Sequence, residues 1–191
     1  MRICLLQLLL VLAAIAGIVD RVAVVVGGSV ITESEVLDDL RLTEFLNSEP
    51  LDLSPGQRRA AAERLVDQQL IRKEMEIGRY AGPSAAEADA MLRSLRQQRF
   101  PGDAEFHAAL ERYGITENQL EQHLLWQLTV MRFTDSRFRP AAPEASEPSA
   151  NRADPNASAP VAGADVDQQL NAWLKETRGG TKIVFKEEAF Q

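Results

Sequence analysis

Cysteine is almost missing from this chain: 191 residues contain one, Cys4, along with two histidines, His107 and His123. A lone cysteine excludes a disulfide framework. With two histidines and no HExxH spacing, a zinc site is not expected either. Lysine is scarce too, because Arg accounts for most of the 21 basic residues, against 28 acidic ones. The formal charge of -7 argues against a nucleic-acid binder, which would carry a basic face. No serine lies in a Gly-x-Ser-x-Gly elbow, and Gly27-Gly28 lacks the spacing of a phosphate-cradling loop. The expectation is therefore no catalytic residues, no metal and no cofactor. His107 and His123 are expected as partly exposed residues within helices.

What is present is globular in bulk, at 45% hydrophobic and 26% charged residues. The first residues read as a leader. Arg2 supplies a positive start, Ile3 to Ala16 is apolar except for Gln7, and Ala14-Ile15-Ala16 offers small residues for cleavage before Gly17. Residues 1–16 are thus expected to be a cleaved signal peptide, which makes the mature protein exported and leaves no stable membrane insertion. The alternative, a retained anchor, would need about 20 apolar residues.

Helix starts recur with one physical signal. A helix begins with unpartnered backbone N–H groups, and a Ser, Thr or Asp followed three residues later by Glu or Gln satisfies two of them. Thr32 with Glu35, Ser54 with Gln57, Ser84 with Glu87, Thr116 with Gln119 and Asp165 with Gln168 fit this pattern, and Asp103 reads as a simpler cap. Pro55 suits a first helical position. Six helices follow, each with an apolar stripe. The stripes are Ala62, Val66, Leu70, Ile71 and Met75 in the second; Ala88, Met91, Leu92 and Leu95 in the third; and Phe106, Ala109, Leu110 and Tyr113 in the fourth. Leu120, Leu124, Leu128 and Met131 form that of the fifth, and Val166, Leu170, Trp173 and Leu174 that of the sixth. Gly82-Pro83, Pro101-Gly102, Gly114 and Gly179-Gly180 read as stops.

Two pieces are not helical. Val22–Val26, then Gly27-Gly28, then Ser29–Ile31 reads as a hairpin with both glycines free to take positive φ. Lys182–Phe185 reads as a last strand, expected to pair with the first two because an isolated hairpin is marginal in water. The fold class is mainly α: six helices with a small antiparallel sheet made by an N-terminal hairpin and a C-terminal strand. Residues 139–164 hold five of the nine prolines and no aromatic residue, and read as a flexible linker. The domain plan is then 17–138 as the hairpin and five helices, and 165–191 as the helix and strand completing the same core. Acidic residues are expected on solvent faces and near helix starts, where the helix dipole favours them.

An apolar surplus remains. Phe100, Trp126, Phe133 and Phe138 lie off the main stripes or at their edges, and the long fifth helix adds Leu125 and Val130. Such residues are either buried on a second side or form a binding surface for extended polypeptide. These six are the candidate client-binding residues.

Val19 to Val36, with its strand, Gly27-Gly28 turn, strand and acidic helix start, resembles the opening of the SurA family of periplasmic chaperones. Arg64-Leu65-Val66-Asp67-Gln68-Gln69-Leu70-Ile71 is similar to that family's second-helix segment, and Tyr113-Gly114-Ile115-Thr116 to its later helices. Trp173 to Arg178, followed by Lys182–Phe185, is similar to the closing helix and strand. Family members usually carry parvulin-type prolyl isomerase domains between the long helix and the closing one. Here 26 linker residues occupy that place, too few to fold one. The resemblance implies a periplasmic holdase that binds unfolded outer-membrane or secreted polypeptides without catalysis. The alternatives are an assembly subunit or dimer with one dedicated partner, and a prolyl isomerase, to which the family name would point.

Overall fold

The computed structural model describes residues 20–138 and 162–191. The expected leader, the cleavage site and residues 139–161 of the expected linker lie outside them. The elements run β1 (Val22–Val26), β2 (Ser29–Thr32), α1 (Glu33–Asn47), α2 (Pro55–Gly78), α3 (Ala85–Arg99), α4 (Asp103–Tyr113), α5 (Glu117–Phe138), α6 (Ala162–Gly180), β3 (Ile183–Phe185) and a closing 3-10 helix (Glu187–Phe190). The architecture is six helices with a three-stranded antiparallel sheet. No helix among the described residues is long and apolar enough to cross a membrane.

The sheet order is β2-β1-β3, so β3 pairs with β1 alone and makes β1 the central strand. Val26 faces Ser29 across the two-residue turn, where Gly27 alone takes a positive φ (59°) and Gly28 does not. The β1–β2 register shifts between Val22 and Val24. This irregularity lets Ala23 and Val24, neighbours in sequence, both be fully buried, which strict alternation forbids. The Ala23 carbonyl accepts from Lys186 N–H (2.8 Å), and Gly27 N–H donates to the Lys182 carbonyl (2.8 Å), which extends the β1–β3 ladder at both ends.

Side-chain caps explain three of the helix starts. Thr32 and Glu35 form a reciprocal capping box on α1, reinforced by Asp20, which accepts from the Ser34 N–H (3.2 Å) and hydroxyl. Ser84 with Glu87 does the same for α3, and Thr116 with Gln119 for α5. Three expected caps differ. Ser54 precedes Pro55 as expected, but its side chain makes no capping bond. Gly102 occupies the cap position of α4, leaving Asp103 inside the first turn, where its carboxylate pairs with Arg96 at 2.6 Å. Helix α6 begins at Ala162, three residues inside the expected linker, so Asp165 lies within the helix rather than at its cap position.

Stops differ as well. Helix α2 ends four residues before Gly82, because Arg79 turns left-handed (φ 52°) with its N–H on the Met75 carbonyl. Gly78 then allows the Tyr80 ring to fold back across the helix end, where a Cβ would collide with it. Gly114 takes the left-handed cap of α4 (φ 65°), and Gly179-Gly180 form the last residues of α6 rather than following it.

Two cores share α1. One joins the sheet, the N-terminal half of α1, α2 and the chain's end through Val24, Ile31, Val36, Leu40, Val66, Leu70 and Phe190. The other joins the C-terminal half of α1 to α3, α4 and α5 through Leu42, Phe45, Leu92, Phe106, Leu110, Leu120 and Leu124. The residues of the expected stripes are buried or half-buried, except Met131, which is 60% exposed.

The C-terminal segment is fastened to α2 by arginines. Arg178 reaches Asp67 and Glu63 (both 2.6 Å), Arg59 lies 3.7 Å from the Phe185 ring centroid, and Arg58 donates to the Gln191 carbonyl (2.7 Å). Such partly exposed pairs contribute little singly, so Phe190 and Ala189, buried against the sheet core, supply most of the closure energy. Phe190→Ala is expected to cost about 3 kcal/mol in equilibrium urea unfolding. Ile77→Ala, at an exposed position on α2, should stay within about 0.5 kcal/mol of the parent.

Candidate functional site

A concavity lies between α1, α2 and α5. A cleft of about 390 Å³ is bounded by Glu35, Asp38 and Asp39 of α1, Leu65, Gln68, Gln69 and Arg72 of α2, and Asn118, Gln119, Gln122, His123 and Trp126 of α5. A second cleft of about 320 Å³ continues between α2 and α5 past Met75, Glu76, Leu125 and Thr129. The two share Arg72, Gln122 and Trp126, and so form one groove.

Its residues fall on one face by helical spacing. Gln68, Gln69, Arg72, Met75 and Glu76 recur every three or four positions on α2, as do Asn118, Gln122, Leu125, Trp126 and Thr129 on α5. The opposite faces carry Val66 and Leu70 into the sheet core and Leu120 and Leu124 into the helical core, which fixes the rotation of both helices.

The carboxylates at the wide end are committed within the protein. Asp39 is 5% exposed and accepts from Arg64 at 2.8 and 3.0 Å and from Gln68 at 3.2 Å. Asp38 accepts from Gln119 (2.9 Å) and faces Arg41 (3.5 Å), while Glu35 is held by the α1 capping box. Asp39 and Glu44 depart from the expectation that acidic residues face solvent. Glu44, also 5% exposed, accepts the Asp52 N–H at 3.0 Å and so ties down the loop between α1 and α2, and burial raises its pKa.

By contrast, Gln69, Arg72, Asn118 and Gln122 make no side-chain hydrogen bond or ion pair to any described residue. Arg72 lies over the Trp126 ring, 4.2 Å from its centroid. That contact is worth roughly 0.5–1 kcal/mol at an exposed site. The groove thus presents uncommitted amide and guanidinium donors, amide acceptors and one half-buried indole face. No described group of three or more His, Cys, Asp or Glu is placed to hold a metal. Chemically the arrangement suits reversible binding of a polar chain with apolar side groups.

Of the six candidate residues, Leu125 and Trp126 line this groove. The other four do not. Phe133 is 1% exposed and packs edge-on against Tyr80 (5.3 Å) and Phe138 (6.0 Å) and at a tilt against Trp173 (5.5 Å), so it is closed to any ligand. Phe138 belongs to the same cluster, which Arg137 joins to Glu74 at 2.5 Å. Phe100 stacks on Phe45 (6.1 Å) and meets Phe106 edge-on (5.3 Å) at the second core. Val130 lines a separate cleft in the α5–α6 seam with Thr134, Val166 and Leu170. The groove's other lining residues are mostly polar and contribute no apolar surplus to the sequence. The signal that could have found them is the amide stripe Asn118, Gln119, Gln122 opposite Gln68-Gln69.

His123, expected as partly exposed, is half-buried in the groove wall, its ring nitrogen accepting from the Gln127 amide at 3.2 Å. Burial lowers its pKa below the ordinary histidine value of 6.5, with Asp39 of α1 opposing the shift and Arg64 of α2 adding to it.

No protein-family model matches the chain, and no curated protein sequence matches it.

Two measurements probe the groove wall. Arg64→Ala strands the buried Asp39 carboxylate with Gln68 alone and is expected to cost about 2 kcal/mol in urea unfolding, below the cost at a fully buried pair because Arg64 is partly exposed. The second concerns pH. A folded-state histidine pKa below its unfolded value means that the unfolded chain takes up the proton first, so stability is lost as pH falls through 6.5 toward the depressed value. Between pH 7.5 and 5.5 the melting temperature of the parent should fall further than that of His123→Gln.

Proposed function

We propose that the protein is a non-catalytic chaperone that holds unfolded polypeptide in the groove between α1, α2 and α5. The observation that carries this reading is the set of uncommitted polar groups converging on the Trp126 face in an open groove formed by three helices. A polypeptide offers neutral donors and acceptors at every residue and apolar side chains at intervals, which is the complement of that lining. The resemblance of 19–36, 64–71, 113–116 and 173–185 to the SurA family supports the same function. With the leader-like residues 1–16, it supports action in the periplasm on outer-membrane or secreted proteins in transit. The acidic surface keeps such complexes soluble. Release rests on modest affinity, because each contact is a single hydrogen bond or an exposed ring contact worth about 1 kcal/mol.

The purified chain at stoichiometric concentration is expected to suppress light scattering when a urea-unfolded outer-membrane protein is diluted into buffer. Trp126→Ala should weaken that suppression several-fold while the chain still melts cooperatively, at a temperature lowered by a few degrees for the lost ring contact. A proline-isomerisation assay on the same preparation should show only the uncatalysed rate. Failure to suppress aggregation sinks the chaperone reading. A stable dimer that leaves the groove inaccessible would favour an assembly role, and measurable isomerase turnover would make the protein an enzyme.

A further inference from the structure

We infer that Arg72, with Gln69 and Gln122 beside it, reads the main chain of the bound polypeptide, donating to its backbone carbonyls while an apolar side chain of the client rests on Trp126. The inference deepens the proposed chaperone function and rests on it. Three observations lead there. Arg72 is exposed on α2 at the junction of the two clefts; its guanidinium lies over the Trp126 ring and forms no ion pair, although the Glu35 and Glu76 carboxylates act on it electrostatically. A ring contact spends none of the five N–H donors of an arginine, so all remain available to a ligand. Gln69, one turn before Arg72, and Gln122, one turn before Trp126, are equally uncommitted and border the same cleft.

The ligand class follows from charge. Glu35, Asp38 and Asp39 line the same groove and Glu76 the adjoining cleft, so an anionic ligand approaching Arg72 meets like charges. A cationic side chain has the acidic wall in its favour, but Asp38 and Asp39 are already engaged by Arg41 and Arg64, and Arg72 itself covers the indole. A neutral acceptor avoids both conflicts. Main-chain carbonyls are neutral, strong acceptors, and an extended chain repeats them about every 3.3 Å, independently of sequence. Recognition through them gives a client range limited by extension and apolar content rather than by a motif.

Fluorescence anisotropy of labelled peptides against the purified chain tests this. The first probe is an extended, uncharged peptide rich in Phe and Leu and blocked at both ends. The second is the same peptide with a free C-terminal carboxylate, and the third carries a Lys in place of one Leu. The parent should bind all three within about twofold of one another, and Arg72→Gln should weaken all three by about tenfold, the factor expected for loss of charge-assisted hydrogen bonds. Arg72→Lys, which keeps the charge but not the fork, should recover only part of the loss. Thermal melts of the variants, expected within a few degrees of the parent because only the ring contact is lost, separate a binding defect from misfolding. Unchanged affinity in Arg72→Gln overturns the inference while leaving the chaperone reading standing, whereas no binding by the parent removes that reading first. A free-acid peptide bound tenfold more tightly, with the gain lost in Arg72→Gln, overturns main-chain reading in favour of a terminal-carboxylate site. A Lys peptide preferred tenfold overturns it in favour of a cation site.

Discussion

Everything about the groove depends on β1 having two occupied edges. Its first edge takes β2, which a two-residue turn makes nearly unavoidable. Its second takes β3, from more than 150 residues away in sequence. Without that second pairing the hairpin would be marginal, and Phe185, Ala189 and Phe190 would have no core to enter. With it, the end of the chain is pressed onto α2, and Arg178 and Arg59 reach the α2 carboxylate Glu63 from above and within. That pressure sets the rotation of α2: one face is committed to the sheet core, so the Gln69–Arg72–Glu76 face can only look toward α5.

Helix α1 completes the constraint from the other side. Its N-terminal half serves the sheet core through Val36 and Leu40, its C-terminal half the helical core through Leu42 and Phe45. A helix shared in this way cannot rotate to satisfy one core without uncovering the other. Asp39 lies between the two sets and is buried by that geometry rather than by its own preference. Arg64 and Gln68 answer it from α2, so the α1–α2 seam is polar at its centre. An ion pair with one buried partner is a poor source of stability but a strict reporter of alignment, since displacing either helix strands the Asp39 carboxylate. The pair holds the wall of the groove in register while adding little to the total free energy.

The sequence showed most of the fold and little of the site, for one physical reason. Capping boxes such as Thr32 with Glu35 and Thr116 with Gln119, the Gly27-Gly28 turn and the apolar stripes are local, and local signals survive in a linear string. Where a boundary is decided by tertiary packing, the string misleads. Ala162-Gly163-Ala164 carry no helix signal, yet α6 begins there, and further along it Val166 is buried beside Val130 and Thr134 of α5. Asp103 looks like a cap, but Arg96 of the preceding helix claims its carboxylate. The groove is the extreme case, since it is made of polar residues on three helices and polar residues leave no periodic trace of burial. Trp126 and Leu125 were visible as apolar surplus; Gln69, Arg72 and Gln122 were not.

The same contrast separates the two aromatic groups on α5. Phe133 and Phe138 lie within a turn and a half of each other and close on Tyr80 and Trp173, with Arg137 against the rings. Those rings satisfy one another, and α5, α6 and the end of α2 are joined as a result. Trp126, two turns earlier, has no aromatic partner among the described residues and is met instead by a guanidinium from α2. Apolar area alone does not distinguish the two, because both regions are rich in it. What distinguishes them is whether the surrounding polar groups are already engaged. Around Phe133 they are, through Arg137 and Glu74; around Trp126 the amides and the arginine keep their hydrogen-bonding capacity. A polar group can remain unpaired at a groove without cost only while water or a ligand can reach it, so the open side of the groove is the side on which a polypeptide would be held.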